Sequence, residues 1–87
     1  QNVFKEVQVT NQVGLYARPA TFFIQKANEF KSTILVERKS AAKREGLLGI
    51  LSLGITKGTT INLIADGPDE EEAVSALVEL ITSNFTD

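Results

Sequence analysis

Tyr16 and Arg18 are the residues of this chain best suited to chemistry, and they stand where a first helix is predicted to begin. The first turn of a helix leaves backbone N–H groups free, and their partial positive charge favours a bound anion. A guanidinium at Arg18 would add to that attraction, so the stretch 16–18, with Ala17 at its centre, is a candidate anion-binding site. The alternative is that these residues are scaffold and hold no phosphate.

Tyr16 itself is a poor nucleophile. A phenol is almost wholly protonated at neutral pH and needs a neighbouring base, which the segment 13–21 does not offer. A contact at a protein interface, where tyrosine is enriched, is the favoured role for this side chain.

The composition argues against several classes of function. The 87 residues contain no histidine and no cysteine, so the commonest metal ligand, the commonest general base and any thiolate site are missing. A formal net charge of −2 gives no reason to expect nucleic acid as a partner. Without a convergent carboxylate pair, we expect no enzyme activity, no metal and no cofactor.

The length and hydropathy predict a single domain spanning residues 1–87, since one core usually needs roughly 50 to 200 residues. An apolar fraction of 43 % is ordinary for a globular protein. No apolar run approaches the ~18 residues of a membrane span, and the polar N-terminus does not resemble a signal peptide. We therefore expect no membrane insertion. The lack of cysteine fits the expected cytoplasmic location, although a signal peptide could have been removed before this numbering begins.

Residue spacing predicts the elements that would position the stretch 16–18. Val3, Val7 and Val9 share one face of a first strand, although Lys5 interrupts its apolar side. A loop over 11–15 leads to a helix whose first turn contains Pro19. The apolar stripe of this helix comprises Ala20, Phe23, Ile24, Ala27 and Phe30.

The middle of the chain is harder to interpret. A second strand is predicted over 33–38, with its apolar residues on alternating faces. The segment 39–45 carries no Asn-Gly or Asp-Gly hairpin signal, so a short third strand is one possibility there. The apolar run 47–53 could be a short helix or a buried strand, because periodicity cannot separate the two.

The last third of the chain predicts a strand and a helix. After a turn at 57–59, a strand is expected over 61–65. Asp69 and Glu72 then resemble a capping box. The buried stripe of the last helix comprises Ala73, Val74, Ala76, Leu77, Leu80 and Ile81. This order of elements predicts an α+β fold, in which helices cover one face of a small antiparallel sheet.

Two segments of this chain resemble the HPr phosphocarrier family of the bacterial sugar phosphotransferase system. The segment 14–21 matches the family's active-site loop, Gly-(Leu/Ile)-His-Ala-Arg-Pro-Ala-Thr, at seven of eight places. The mismatch is Tyr16, which stands in place of the histidine. The segment 47–54 resembles the family's short second helix. The resemblance implies an open-faced sandwich of four antiparallel strands with three helices on one side.

The resemblance also implies where phosphate would be carried. Family members relay phosphate from the phosphoenolpyruvate-dependent enzyme I to sugar permease components through that histidine, assisted by the arginine that Arg18 matches. In Gram-positive relatives a kinase phosphorylates a serine at the start of the short helix, where this chain has Gly46. Both switches are therefore expected to be absent. Glu45 could imitate a phosphoserine, although the helix dipole alone explains an acidic residue there.

The leucines of the second motif could be core residues or part of a surface. Helical spacing predicts that Leu47 and Leu51 share a face, with Leu48 beside them. We expect these three leucines, with Tyr16 and Arg18, to form an exposed surface. That surface would bind a protein partner, such as a phosphotransferase component or a transcriptional regulator.

Phe22 could extend this surface or pack at its edge. Two basic pairs, Arg38–Lys39 and Lys43–Arg44, are expected to form a solvated edge, although they could contact an acidic partner. The leading hypothesis is a regulatory or partner-binding module that cannot be phosphorylated at the family's sites. The alternative is a phosphocarrier of a sugar phosphotransferase system that acts through an unidentified group.

Overall fold

The computed structural model describes residues 2–41 and 43–85, which form a four-stranded antiparallel sheet covered on one face by helices. The strands are β1 (Asn2–Gln8), β2 (Thr33–Arg38), β3 (Lys43–Glu45) and β4 (Thr60–Asp66), in the spatial order β1-β4-β2-β3. The helices are α1 (Ala17–Ala27), a 3₁₀ helix (Leu47–Leu53) and α2 (Glu70–Thr82), and a single 3₁₀ turn covers Lys39–Ala41. This architecture confirms the predicted α+β open-faced sandwich.

The covered face of the sheet carries alternate residues of each strand. Its buried side chains pack with α1, α2 and the 3₁₀ helix in one cluster, which includes Val7, Ile34, Val36, Ile61, Leu63 and Ala65. On the open face, Phe4 and Leu35 pair with Ile64 from either side and bury it. The alternation read from the sequence therefore chose the correct inner face of β1 and β4. In β2 it separated Ile34 and Val36 from Leu35 without choosing between the two faces, and the structure buries Ile34 and Val36.

The sequence did not decide whether the segment 39–45 contains a third strand, and the structure shows that it does. It pairs antiparallel with β2, with Val36 opposite Glu45 and Arg38 opposite Lys43. Ala42, in the middle of the ambiguous segment, lies outside the described residues. β3 reaches only the second half of β2, because the chain leaves the sheet at Gly46 to start the 3₁₀ helix.

The prediction that Phe30 belongs to the first helix is wrong. α1 ends at Ala27, and Phe30 packs half-buried against the core from the turn that follows. The backbone N–H groups of Lys31 and Ser32 donate to the Asp69 carboxylate, at 2.8 Å and 2.9 Å. A continued helix would need those donors for its own carbonyls.

The predicted capping box is also wrong. The Asp69 side chain makes no capping hydrogen bond to α2; besides the two backbone donors, it accepts the Ser32 hydroxyl at 2.6 Å. Glu70, one residue later, accepts the backbone N–H of Gly67 at 3.1 Å. Asp69 instead ties the start of α2 to the chain that enters β2, a long-range contact that the local pattern could not show.

Acid should weaken the hydrogen bonds that Lys31 and Ser32 donate to the Asp69 carboxylate. The Ser32 hydroxyl, followed by the Lys31 N–H, lowers the pKa of Asp69, because both donors favour the charged carboxylate. A carboxyl whose pKa falls on folding stabilises the protein above its unfolded pKa of ~3.9, and this stabilisation is lost as the pH falls through the lower folded pKa. We predict that Asp69→Asn lowers the melting temperature at pH 7, and that the difference from wild type shrinks below about pH 4.

Thermal unfolding from pH 7 to pH 2.5 measures this difference. Asp66→Asn, at the exposed end of β4, is the matched control and should follow the wild-type profile. If the difference in melting temperature between Asp69→Asn and wild type stayed constant from pH 7 to pH 2.5, the stabilising role of the Asp69 carboxylate would be contradicted.

Candidate functional site

The loop that carries Tyr16 is held against the segment that follows the 3₁₀ helix. Val9 N donates to Thr59 O at 2.9 Å, and Leu15 N donates to Ile55 O at 3.0 Å. Leu15 is fully buried, which fixes the backbone directly before Tyr16. The two motifs are far apart in the chain, and these bonds bring them together in the fold.

Gly14 makes this close contact possible. It has a φ of 68°, a left-handed value that favours glycine. A Cβ at Gly14 would lie 2.7 Å from Thr56 Cα and would collide with the carbonyl oxygen of Ile55. Asn11 closes the loop, because its Nδ2 donates to Gly14 O at 2.9 Å. No larger residue fits here without displacing the Tyr16 loop.

α1 begins at a strained residue between the two candidate side chains. Ala17 has a φ of 53°, which costs a residue with a Cβ about 1–2 kcal/mol. Tyr16 is the N-cap residue, and its carbonyl accepts Ala20 N at 3.4 Å. The first turn, all of it within the described residues, holds no acidic side chain, and Arg18 is exposed. The anion-binding role of 16–18 stays a prediction that this geometry permits.

Arg18 is supported by an aromatic ring. Its guanidinium carbon lies 5.4 Å from the centroid of the Phe22 ring. Such a cation–π contact is worth about 0.5–1 kcal/mol at an exposed position. Phe22 is half-buried and packs against the core, so its ring gives the exposed Arg18 guanidinium a fixed contact.

In the 3₁₀ helix, residues three apart lie on the same side, so the apolar residues divide into an inner and an outer set. Leu47, Ile50 and Leu53 lie three apart on the inner side, where Ile50 and Leu53 are 1 % and 2 % exposed. Leu48 and Leu51, also three apart, are 106 % and 54 % exposed. The prediction that Leu47 and Leu51 share a face is wrong, because it assumed the four-residue spacing of an α-helix. Leu47 is half-buried against the core.

The Tyr16 side chain reaches the C-terminal end of the 3₁₀ helix. That end is Gly54, and a Cβ placed on it would lie 3.4 Å from Arg38 Nη1 and 3.8 Å from the Tyr16 hydroxyl. At ~2 Å of rise per residue, Leu51 is about 6 Å and Leu48 about 12 Å from Gly54 along the axis. Along the axis, Leu51 is therefore the outer leucine nearer to Gly54 and the Tyr16 hydroxyl, and Leu48 lies further from the loop.

Gly46 and Glu45 stand at the other end of the 3₁₀ helix. Gly46 has ordinary extended dihedral angles, and a Cβ there would meet nothing within 4 Å, so the backbone would accept a serine. The Glu45 carboxylate folds over Gly49, where a Cβ would collide with it. The imitation of a phosphoserine by Glu45 stays a prediction.

Arg38 and Lys43 form a cross-strand pair whose cations reach the last carbonyls of the 3₁₀ helix. Arg38 Nη1 donates to Leu53 O at 3.3 Å, and Lys43 Nζ donates to Ser52 O at 3.4 Å. Arg38 is half-buried, so the expectation of a solvated edge is wrong for this residue. Its position behind Tyr16 was not evident from the sequence, because it depends on how β2 and the 3₁₀ helix pack.

The other two basic residues fit the expectation of a solvated edge. Lys39 Nζ lies 2.6 Å from Glu6, and Arg44 Nε lies 3.3 Å from Glu37. Asn62, and then Arg44, donate hydrogen bonds that lower the pKa of Glu37. Arg44 and Glu37 face the open side of the sheet, away from Tyr16.

Within 2–41 and 43–85, no three His, Cys, Asp or Glu side chains are grouped to hold a metal ion. None of the helices in these ranges is long and apolar enough to cross a membrane.

Residues 3–83 match the family model described as "PTS HPr component phosphorylation site". The chain belongs to the HPr family of the phosphotransferase system. Proteins of this HPr family are phosphocarriers and not enzymes.

Several HPr-family proteins are similar to this chain over most of their length. The "HPr-like protein Crh" of Halalkalibacterium halodurans is 44 % identical over 80 residues, which cover 91 % of this chain and 95 % of that protein. The "Phosphocarrier protein HPr" of Neisseria meningitidis is 38 % identical over 82 residues, 93 % and 92 % of the two chains. The crystal structure of HPr-C-His from Thermoanaerobacter tengcongensis superposes with a TM-score of 0.91 at 42 % identity, covering 98 % and 97 %.

The exposure of Leu48 leads to a stability prediction. We expect Leu48→Ser to leave the melting temperature within ~1 °C of wild type, because it removes no buried surface. Leu53→Ser, on the inner side of the same helix, should lower it by ~10 °C or more, since emptying a core site costs about 2–5 kcal/mol. Equal losses in the two variants would show that Leu48 is core.

The contact at Gly14 leads to a second stability prediction. Gly14→Ala should destabilise the protein by ~2–4 kcal/mol, because the new Cβ meets fixed backbone and the φ is left-handed. Gly46→Ala is the matched control and should change stability by less than ~0.5 kcal/mol, since its Cβ enters open space. Urea unfolding measures both, and a neutral Gly14→Ala would contradict the close approach.

Proposed function

We propose that this HPr-family chain cannot relay phosphate and acts in the cytoplasm by binding and regulating a protein partner. One observation carries the proposal: the 87 residues contain no histidine, and Tyr16 stands where the matched loop has the phosphate carrier. The whole chain would form one module, since the buried residues form a single cluster.

The surroundings of Tyr16 support the loss of the relay. A phenol needs a base to attack a phosphoryl group. The Arg38 guanidinium, which approaches Gly54 as the Tyr16 hydroxyl does, stays protonated and cannot take the phenolic proton. A phosphate that did reach Tyr16 would be an ester, which does not transfer onward as readily as a phosphoimidazole.

The start of the 3₁₀ helix supports the loss of the second switch. Gly46 precedes Leu47-Leu48-Gly49, at the place where Gram-positive relatives have their regulatory serine, and it offers no hydroxyl. The open space around Gly46 indicates that its substitution was not forced by packing. The chain would thus keep the shape of an HPr while escaping both phosphorylation signals.

The exposed residues support a role in binding. Leu48 and Leu51 present an apolar ridge, which Tyr16 and Arg18 continue at the C-terminal end of the 3₁₀ helix. Aromatic and arginine side chains supply much of the energy of small interfaces. Contiguous exposed apolar side chains mark interaction sites, and Leu48 and Leu51 lie on the same outer side of the 3₁₀ helix. Phosphotransferase components and transcriptional regulators are the candidate partners.

The relay is tested with enzyme I and phosphoenolpyruvate. We predict that wild type acquires no acid-labile phosphate, whereas Tyr16→His is labelled because the strained Ala17 and the Arg18 guanidinium are still in place. Intact mass spectrometry with mild acid treatment measures both proteins. Stoichiometric acid-labile labelling of the wild type would refute the proposal.

The binding surface is tested in the same assay. Leu48→Ser added to Tyr16→His should slow labelling by ~10-fold or more, because it removes an interface contact worth about 1.4 kcal/mol or more. Phe4→Ser added to Tyr16→His is the control, since Phe4 is a similarly exposed apolar residue on the open face of the sheet. Equal labelling rates for the two double variants would show that Leu48 does not contact enzyme I.

A further inference from the structure

Arg38 holds a hydrogen-bond donor that the fold leaves unused. Its Nη1 donates to Leu53 O, but its Nε is buried and has no partner among the described residues. A buried donor without an acceptor costs about 1–3 kcal/mol, and such a group in a native protein calls for an explanation. A guanidinium with an unused donor is a receptor for a carboxylate or a phosphoryl group.

The Tyr16 hydroxyl and Arg38 Nη1 both approach Gly54, since a Cβ there would lie 3.8 Å from the hydroxyl and 3.4 Å from Nη1. This hydroxyl belongs to the chain's single tyrosine, and it shares with Arg38 Nη1 the space over Gly54. Gly54 has a φ of 67°, so a side chain is disfavoured there and the space stays open. A group attached to the Tyr16 oxygen would enter that space beside Arg38.

The charges around this space favour an anion. Lys43 Nζ lies at the neighbouring carbonyl, Ser52 O, and Arg18 is exposed two residues after Tyr16. The acidic residues next to this region along the chain turn away from it. Glu37 bonds Asn62 on the open face of the sheet, and Glu45 folds over Gly49 at the far end of the 3₁₀ helix.

We propose that Tyr16 is the acceptor of a protein tyrosine kinase and that Arg38 holds the phosphoryl group. The phenolic oxygen attacks the γ-phosphorus of a nucleoside triphosphate, the bond from that phosphorus to the β,γ-bridging oxygen breaks, and the nucleoside diphosphate leaves. The phenolic proton passes to the base of the kinase, because this chain supplies none. The Arg38 guanidinium then donates to the phosphoryl oxygens.

This inference rests on the proposed function and adds a regulatory signal to it. An ester on Tyr16 is not a relay intermediate, so it persists until a phosphatase removes it. It places a charge of about −1.5 to −2 beside Leu51 and Arg18, in the centre of the proposed binding surface. Modification would add this negative charge to an apolar and cationic surface, and would therefore switch partner binding.

The role of Arg38 is tested with phosphotyrosine installed at position 16 during translation. A ³¹P NMR titration reports the second pKa of the phosphate, which is ~6 without a partner. We expect this pKa to be lower by ~0.5 or more in the otherwise wild-type protein than in Arg38→Gln. The melting temperature should rise on modification only when Arg38 is present. Arg44→Gln is the matched control and should behave like wild type, because Arg44 faces the open side.

Equal phosphate pKa values in the Arg38→Gln and Arg44→Gln proteins would overturn the assignment. A second arm adds inorganic phosphate to the unmodified protein. Binding of phosphate that depends on Arg38, found together with equal phosphate pKa values in the two modified variants, would assign the site to a free anion and overturn the role of Tyr16.

Access to Tyr16 is tested with a tyrosine kinase chosen for its activity on a peptide of residues 11–21. Mass spectrometry should then find an acid-stable phosphate on Tyr16 of the folded protein, at ~0.1 of the peptide rate or faster. Modification of the peptide alone would overturn the inference. The assay with enzyme I detects acid-labile phosphate, so failure of the proposed function and failure of this inference give different results.

Discussion

The close approach of the Gly14 backbone to Ile55 is the contact on which the candidate site depends. It allows Leu15 N to bond Ile55 O and seats the Leu15 side chain in the core. Tyr16 follows directly and is carried to the end of the 3₁₀ helix, where its hydroxyl meets the space over Gly54. The site is thus built from backbone contacts that only glycine permits, and the side chains that face outward could change while the frame stayed fixed.

These backbone contacts of Gly14 and Leu15 with Ile55 explain how an HPr-family chain could change its function without changing its fold. Phosphate transfer depends on one side chain, and the 87 residues contain no histidine to supply it. The outer leucines of the 3₁₀ helix do not depend on that chemistry, because their exposure is set by how the helix packs on β2 and β3.

The parts of the fold that local patterns control were predicted well. The alternation in β1 and β4 chose the buried face correctly, because period-two burial is a property of the strand itself. Failures came where a distant group took over. Asp69 was assigned to its own helix, but it accepts hydrogen bonds from Lys31 and Ser32. The same bonds end α1 before Phe30, although the helical spacing continued through that residue.

The sequence by itself determined the family, the absence of any imidazole and the presence of one phenol and one arginine in the matched loop. These are properties of residue type and order, so they need no coordinates. The tertiary structure decided which leucines face outward, since the choice between three- and four-residue spacing depends on what the helix packs against. It also placed Arg38 behind Tyr16, because β2, the loop and the end of the 3₁₀ helix meet only through contacts distant in the chain.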